Sequence, residues 1–347
     1  MRAATMRNWT LEVRDVPDPV PASGQVLVRT LACGICGSDL HMLKHGAKMQ
    51  VLGEELAKQA PPEPISQVRM DPTLDVVMGH EFCAEVVELG PDCSNVMVGN
   101  TVVSMPVAFE PGGLHAVGYS NAFPGGYGEL MLLSDMVAMK VPNGLGHRDA
   151  ALTEPLAVGI HAVVKSNIAP GDAAVVLGCG PVGLAVIDDL RRRGIEPIVA
   201  SDFSPARRAL AAKMGAHEVV DPAVERPMDA WRRVDGVRPL VIFEAVGVPG
   251  MIDQAMVMAP RGARILVVGV CMEDDRIRPM AGIGRELNLQ FVLGYDPTEF
   301  ASALQALAEG TTRYPEIVTG TVDVDGVPQA FNDLGNPEAH AKILVEP

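Results

Sequence analysis

The run Ala173–Leu177 leads directly into Gly178-Cys179-Gly180-Pro181-Val182-Gly183, and a helix-like run follows to Arg193. A strand that turns on glycines into a helix constrains the fold more than any other feature of this chain. The first glycine permits the tight turn, and the second lets backbone N–H groups approach a pyrophosphate. The third lets the helix pack against the strand. The helix N-terminus then presents unpaired N–H donors to phosphate charge. The next strand-like run, Ile198–Ser201, ends at Asp202, 19 residues beyond Gly183, where an acid hydrogen-bonds the adenosine ribose. A carboxylate there repels a 2′-phosphate, so NAD is expected over NADP, although Arg207 and Arg208 could accommodate that phosphate. The bland alternative is an Asp that only caps the helix opening at Pro205.

The 347 residues suit two domains at about 150 residues each. Residues 1–150 read as short strands punctuated by Gly and Pro, among them Gln25–Thr30, Glu85–Leu89, Thr101–Ser104 and Glu129–Leu133. After Thr153, strand-like and helix-like runs alternate: Pro205–Met214, Val219–Val220, Leu240–Phe243, Met251–Met258, Ile265–Val268 and Leu289–Leu293. Such alternation predicts βαβ units on a parallel sheet covered on both faces. A helix-like Thr298–Leu307 and a terminal strand at Ile343–Val345 follow. Between His41 and Gly79 lie 37 residues, including the Pro-rich APPEPIS and the helix-like GEELAKQ. Connections of that length are often binding or lid elements.

Composition excludes several partners. Lys and Arg total 28 and Asp and Glu 43, a net charge of −15, which leaves no basic footprint for nucleic acid. The longest nearly apolar stretch, Ala173–Ile187, is broken by three glycines and a proline and is too short to span a bilayer. The opening MRAATMRNWTLEV shows no secretory pattern. Six unevenly spaced cysteines argue against a disulfide framework, so a cytoplasmic, reducing location is expected.

The segment Cys33-Gly-Ile-Cys36-Gly-Ser38-Asp39-Leu-His41 carries the sharper chemical signal. A lone C-x-x-C can be half of a four-cysteine zinc site, a redox dithiol or two buried small residues. No second C-x-x-C exists, which disfavours a closed structural site. A redox pair wants a helix start near a βαβ unit, whereas this one lies in the strand-rich part. What remains is one cysteine acting with distant ligands, for which Gly79-His80-Glu81 and Glu154-Pro155 supply candidates. Taken singly, each has a plainer reading: His80 a core residue, Glu81 a strand end, Glu154 an acid favouring a helix start.

The order C-G-I-C-G-S-D-L-H, G-H-E-F, G-G-Y-G-E, E-P-L-A-V-G, G-C-G-P-V-G resembles the zinc-dependent medium-chain alcohol and polyol dehydrogenases from end to end. The resemblance implies an α/β architecture: a GroES-like β-rich catalytic domain, 1–153 completed by 291–347, and a Rossmann domain, 154–290, with chemistry in the cleft between them. It implies that Cys36 and His80 are catalytic zinc ligands, with Glu154 as the acidic third and Glu81 beside the metal or an alternate ligand. Ser38 resembles the proton acceptor from the alcohol, His41 the outer end of that relay, and Asp39 the carboxylate that holds His80. Val268-Gly269-Val270 resembles the turn beside the nicotinamide, and Lys342 a basic residue on the cofactor pyrophosphate. Cys33 and Cys83 are expected to be small buried residues.

The expected activity is therefore hydride transfer between a primary, secondary or polyol substrate and NAD, giving aldehyde or ketone, in a homodimer or homotetramer. Two features depart from the family. Gly99-Asn100 stands where a G-D-R-V strand is usual, and Ser104–Leu133 has no cysteine, so one catalytic zinc and no structural zinc are expected. The connection after His41 is long, and Met49 and Leu52 are expected to line a substrate mouth beneath it. The rivals are a zinc-free NADPH-dependent quinone or enoyl reductase, a dinucleotide-binding module without turnover, and a dithiol sensor using Cys33 and Cys36.

Overall fold

A computed structural model of the chain describes residues 1–59, 70–110, 113–142 and 144–347. They form two compact units: Met1–Glu154 with Val318–Gly335 and Lys342–Pro347, and Pro155–Ile317 with Asn336–Ala341.

In the first unit the long strand Gln25–Gly34 is the axis. It pairs antiparallel with Glu81–Leu89, Leu130–Ser134 and Lys342–Val345. Thr101–Ser104 and Ala138–Lys140 extend the sheet on one side, and Val318–Val322 extends it on the other, parallel to Lys342–Val345. Val26, Val28, Ala84, Val86, Met131 and Leu133 alternate onto one buried core with Met78, Phe123 and Tyr127. Leu27 and Leu132, at the intervening positions, are buried as well, so the centre of this sheet is covered on both faces.

Gly37–Gln59 is a helix of 23 residues, not an open connection. It contains no proline and is rich in Leu, Met, Ala, Lys, Glu and Gln, all good helix formers. Met42 is buried and Met49 packs against the core of the same unit, so Met49 is taken up by the fold, while Leu52 is half exposed. The APPEPIS segment lies outside the described residues.

In the second unit, the described strands order as Glu218–Val220, Ile198–Ser201, Ala173–Leu177, Leu240–Glu244, Arg264–Val267 and Asn288–Phe291, all parallel. This is the doubly wound order 3-2-1-4-5-6. The two central strands, Ala173–Leu177 and Leu240–Glu244, are buried at every position, as a sheet covered on both faces demands. The expected boundary at 291 moves. Helix Pro297–Ala308 buries Phe300, Ala303 and Leu304 in the second unit, and its Glu299 bonds His161 Nδ1 at 2.7 Å, so residues 291–317 belong with the nucleotide fold.

Candidate functional site

The first unit gathers one cluster of chemistry at the end of its central strand. Gly34 lies opposite Glu81 in the ladder. A Cβ at Gly34 would meet Glu81 Oε2 at 2.0 Å, so only glycine lets that carboxylate lie across the strand. The chain then turns through Ile35 and Cys36 into helix Gly37–Gln59. Asp39 Oδ2 accepts the Cys36 backbone N–H at 3.2 Å, closing the start of the helix and fixing Cys36 beside His80. Cys36, His80 and Glu81 offer sulfur, imidazole nitrogen and carboxylate oxygen within 4.8 Å of one another.

Asp39 is fully buried and surrounded by donors. Tyr119 Oη donates to its Oδ1 at 2.7 Å and Tyr127 Oη to its Oδ2 at 2.5 Å. Burial pushes this carboxyl up, but the His80 charge and the two phenols outweigh it and hold Asp39 below the usual carboxylate range. His80 Nδ1 lies 3.4 Å from Asp39 Oδ1 without hydrogen-bond geometry, which leaves a buried ring nitrogen with no hydrogen-bond partner. Burial lowers the basicity of His80, yet Asp39 and Cys36 raise it well above its ordinary value. A field that would keep a proton on this ring is also one that would keep a cation beside it. Sulfur, imidazole and carboxylate together are donors that zinc accepts, so these residues fit the metal that the sequence motifs call for.

Glu81 has a second partner that the sequence did not suggest. Lys342 Nζ donates to its two oxygens at 2.8 and 2.6 Å and to the Ile35 carbonyl at 3.0 Å. Lys342 is therefore buried against the cluster, not exposed as a pyrophosphate contact would be; this corrects the cofactor role expected for it. Glu154, in the first turn of helix Thr153–Lys165, is buried and its charge is felt at Lys342, but it is not in the group within 4.8 Å. Ser38 Oγ lies 3.4 Å from His80 Nε2 and 3.0 Å from Tyr119 Oη. His41, three residues further along the helix, faces His45 at 6.0 Å between ring centroids, and among the described residues no hydrogen bond joins it to Ser38. Tyr119 was missed altogether, because nothing local to it marks a residue that meets Asp39 from 80 positions away.

Cys33 and Cys83 are wholly buried, and burial pushes the Cys83 thiol up to about 12 and Cys33 well above its usual value. A second group, His161 with Asp296 and Glu299, also comes within 4.8 Å. There Glu299 Oε2 accepts from His161 Nδ1 and from the Asp296 backbone N–H, both at 2.7 Å, so that carboxylate is used as a helix cap and a pin between helices.

In the second unit, a cavity of about 1180 Å³ opens at the carboxyl ends of the strands. Gly178, Gly180, Asp202 and Arg207 line it. Gly178 has φ +90°, and a Cβ at Gly183 would strike the Gly178 carbonyl at 2.0 Å, the close helix–strand approach the motif requires. Pro181, Val182 and Gly183 open helix Pro181–Arg192 behind the turn. Asp202 Oδ2 accepts the Cys179 N–H and its Oδ1 the Ser204 N–H, each at 2.8 Å. Arg207 carries a buried Nε without a partner beside that carboxylate's loop. Val268, Gly269 and Val270 follow strand Arg264–Val267, the first two N–H groups bonding the Glu244 carbonyl, and none of the three lines the cavity.

Residues 22–143 match the family model of the alcohol dehydrogenase GroES-like domain, and residues 181–309 that of the zinc-binding dehydrogenase. The chain is 31% identical to a (R,R)-butanediol dehydrogenase of Bacillus subtilis (strain 168), with 100% of both chains covered. A crystal structure of 2R,3R-butanediol dehydrogenase from Bacillus subtilis superposes with a TM-score of 0.84 at 30% identity, covering 100% of this chain and 99% of that one. A putative zinc-binding dehydrogenase from Sinorhizobium meliloti 1021, bound to NADP, gives a TM-score of 0.82 at 27% identity with the same coverage.

Proposed function

The chain belongs to the zinc-dependent medium-chain alcohol and polyol dehydrogenases, and from that premise we propose that it oxidises the secondary hydroxyl of a small vicinal diol or polyol to a ketone with NAD. It is an oxidoreductase acting on CH–OH, and the zinc-free quinone or enoyl reductase alternative is not favoured. The observation that carries the reading is the meeting of Cys36, His80 and Glu81 within 4.8 Å in a chain that also carries the dinucleotide fingerprint.

Cys36, His80 and Glu81 would hold the metal, and Glu154, buried and outside that group but near enough for its charge to act on Lys342, would be the further carboxylate. Zinc bound there supplies a Lewis acid that makes an alcohol proton easier to remove, and NAD supplies the hydride acceptor. Asp39 fixes His80 from behind, so that the ring presents its other nitrogen to the metal. Ser38, adjacent to both, would receive the hydrogen bond of the substrate hydroxyl and so orient its proton for removal, and His41, half-buried on the next turn, accepts protons on the solvent side. Glycines 178 and 180 admit the pyrophosphate, and Asp202 receives the adenosine ribose.

One zinc per chain follows from the absence of cysteine in Ser104–Leu133. The described cysteines are all free, in keeping with a reducing cytoplasm; no described helix is long and apolar enough to cross a membrane. A homo-oligomer is supported by the outer strand Asn288–Phe291, the last in its sheet, which leaves Phe291 66% and Leu293 81% exposed.

Purified, zinc-loaded protein assayed by NADH absorbance against simple alcohols, vicinal diols and hexitols tests the reading. Diol or polyol oxidation that a chelator abolishes and zinc restores is expected. Turnover of quinones or enones with NADPH, unaffected by the chelator, would overturn it.

A further inference from the structure

We propose that Tyr119 is a positioning residue for Ser38: it accepts the hydrogen bond of the serine hydroxyl and so turns the free lone pairs of Ser38 Oγ towards the substrate hydroxyl. This rests on the dehydrogenase reading above, in which Ser38 receives the hydrogen bond of the substrate alcohol.

The argument is one of counting protons. Asp39 is a buried carboxylate and can only accept. Tyr119 owns a single hydroxyl proton, and its oxygen lies 2.7 Å from Asp39 Oδ1, so that proton points at the carboxylate. The Tyr119 oxygen then has only lone pairs to offer Ser38 Oγ, 3.0 Å away, and in that contact the serine must donate. Among the described residues, the other hydrogen-bonding neighbour of Ser38 Oγ is His80 Nε2, at 3.4 Å. If that nitrogen serves the metal, it has no lone pair left for the serine. A serine hydroxyl rotates freely unless a fixed acceptor claims its hydrogen. Here one does: the phenol ring is itself held against the His80 ring at 5.3 Å between centroids. With its proton directed at Tyr119, Ser38 meets an incoming hydroxyl as a hydrogen-bond acceptor only, which points the substrate's proton away from its carbon and along the O–H to Ser38.

Tyr127 is a natural control. It donates to the other oxygen of the same carboxylate at 2.5 Å, and its second partner among the described residues is the Gly34 carbonyl at 3.4 Å, not Ser38. Both tyrosines support Asp39, and only Tyr119 touches the serine.

The test is a double-mutant cycle with Tyr119→Phe, Tyr127→Phe and Ser38→Ala, read as kcat, KM, bound zinc and melting temperature, together with crystal structures of wild type and Tyr119→Phe. Tyr119→Phe should lower kcat about tenfold with KM and bound zinc unchanged, and should cost nothing further once Ser38 is Ala. The effect of Tyr127→Phe should instead multiply with that of Ser38→Ala. In the crystals, Ser38 should keep one rotamer in wild type and lose it in Tyr119→Phe. Multiplicative effects for Tyr119 and Ser38, or an unchanged Ser38 rotamer in Tyr119→Phe, would overturn the proposal. A wild type that oxidises no alcohol while its Ser38 rotamer still depends on Tyr119 would instead overturn the dehydrogenase reading alone.

Discussion

Lys342 Nζ sits within 2.8 Å of both carboxylate oxygens of Glu81, and each side chain is only 1% exposed. The two residues lie 261 positions apart and meet because the terminal strand Lys342–Val345 is laid beside Gln25–Gly34, which also pairs with Glu81–Leu89. Burial disfavours the charged amine, but Glu81, Cys36 and Glu154 outweigh it and keep Lys342 protonated. One fixed positive charge thus offsets part of the negative charge of a site that a divalent ion would otherwise have to balance alone.

Lys342→Met should therefore act on stability and metal binding. Without metal, Glu81 is left buried and unpaired, a loss of about 3–5 kcal/mol for breaking a buried pair from one side. Zinc should restore stability to the variant more than it does to wild type, because Glu81 then has only the metal to answer its charge. Urea melts with and without zinc measure both effects. A variant as stable as wild type without metal, but with a raised KM for NAD, would instead favour the pyrophosphate role first expected for this lysine.

Parts of this arrangement were legible in the sequence because they are local. The fingerprint from Ala173 to Asp202 sets strand, turn, helix and carboxylate at fixed spacings, and the strand Ala173–Leu177 and helix Pro205–Met214 fall where the apolar runs and prolines put them. Cys36, His80 and Glu81 were recognisable as residue types, and the fold supplies their meeting. Helix Gly37–Gln59 was obscured by the weak segregation of its apolar residues and by Gly46, whose missing side chain makes room for the Trp9 ring; a Cβ there would meet it at 2.0 Å. Lys342 and Tyr119 were opaque for another reason. Their partners are set by strand order and loop path, which no local pattern encodes, so a lysine in a terminal strand read as a contact to the cofactor pyrophosphate.

Asp202 makes a prediction about cofactor choice. Its oxygens already bind the Cys179 and Ser204 N–H groups and lie in the cavity wall, so a 2′-phosphate would meet a carboxylate that cannot swing far away. Wild type should favour NAD over NADP in kcat/KM, and Asp202→Ala should shrink that ratio by about 10–100-fold, the equivalent of roughly 1.4–2.8 kcal/mol. Arg207, with its unpartnered Nε, is the group that would then meet the phosphate. A ratio unchanged in Asp202→Ala would place cofactor selection elsewhere.

The outer strand Asn288–Phe291 makes a separate prediction about assembly. It pairs with Arg264–Val267 on one side only and exposes Phe291 and Leu293, a combination that invites another edge. Light scattering should give a multiple of the 36.7 kDa chain for wild type and the single-chain mass for Phe291→Glu combined with Leu293→Lys. A monomeric wild type would remove the homo-oligomer from the proposed function.

The two cysteines of the C-x-x-C segment separate the metal reading from the dithiol one. Cys33 lies inside the sheet, paired with Phe82, and a Cβ at Gly126 would come within 2.7 Å of its sulfur, so there is no room around it for an exchanging partner. Cys36 faces His80 and Glu81 instead. Cys36→Ser should strip the bound zinc and lower kcat/KM by more than about 100-fold, since even residues that only orient a metal's ligands cost 10–100-fold. Cys33→Ser should keep zinc and activity while losing about 1–3 kcal/mol of stability, the cost of a hydroxyl in an apolar slot. Elemental analysis should return one zinc per chain for wild type and Cys33→Ser, and almost none for Cys36→Ser. Equal loss of activity in both variants, reversed by reductant in wild type, would replace the metal with a redox pair, because only a disulfide needs the two sulfurs equally.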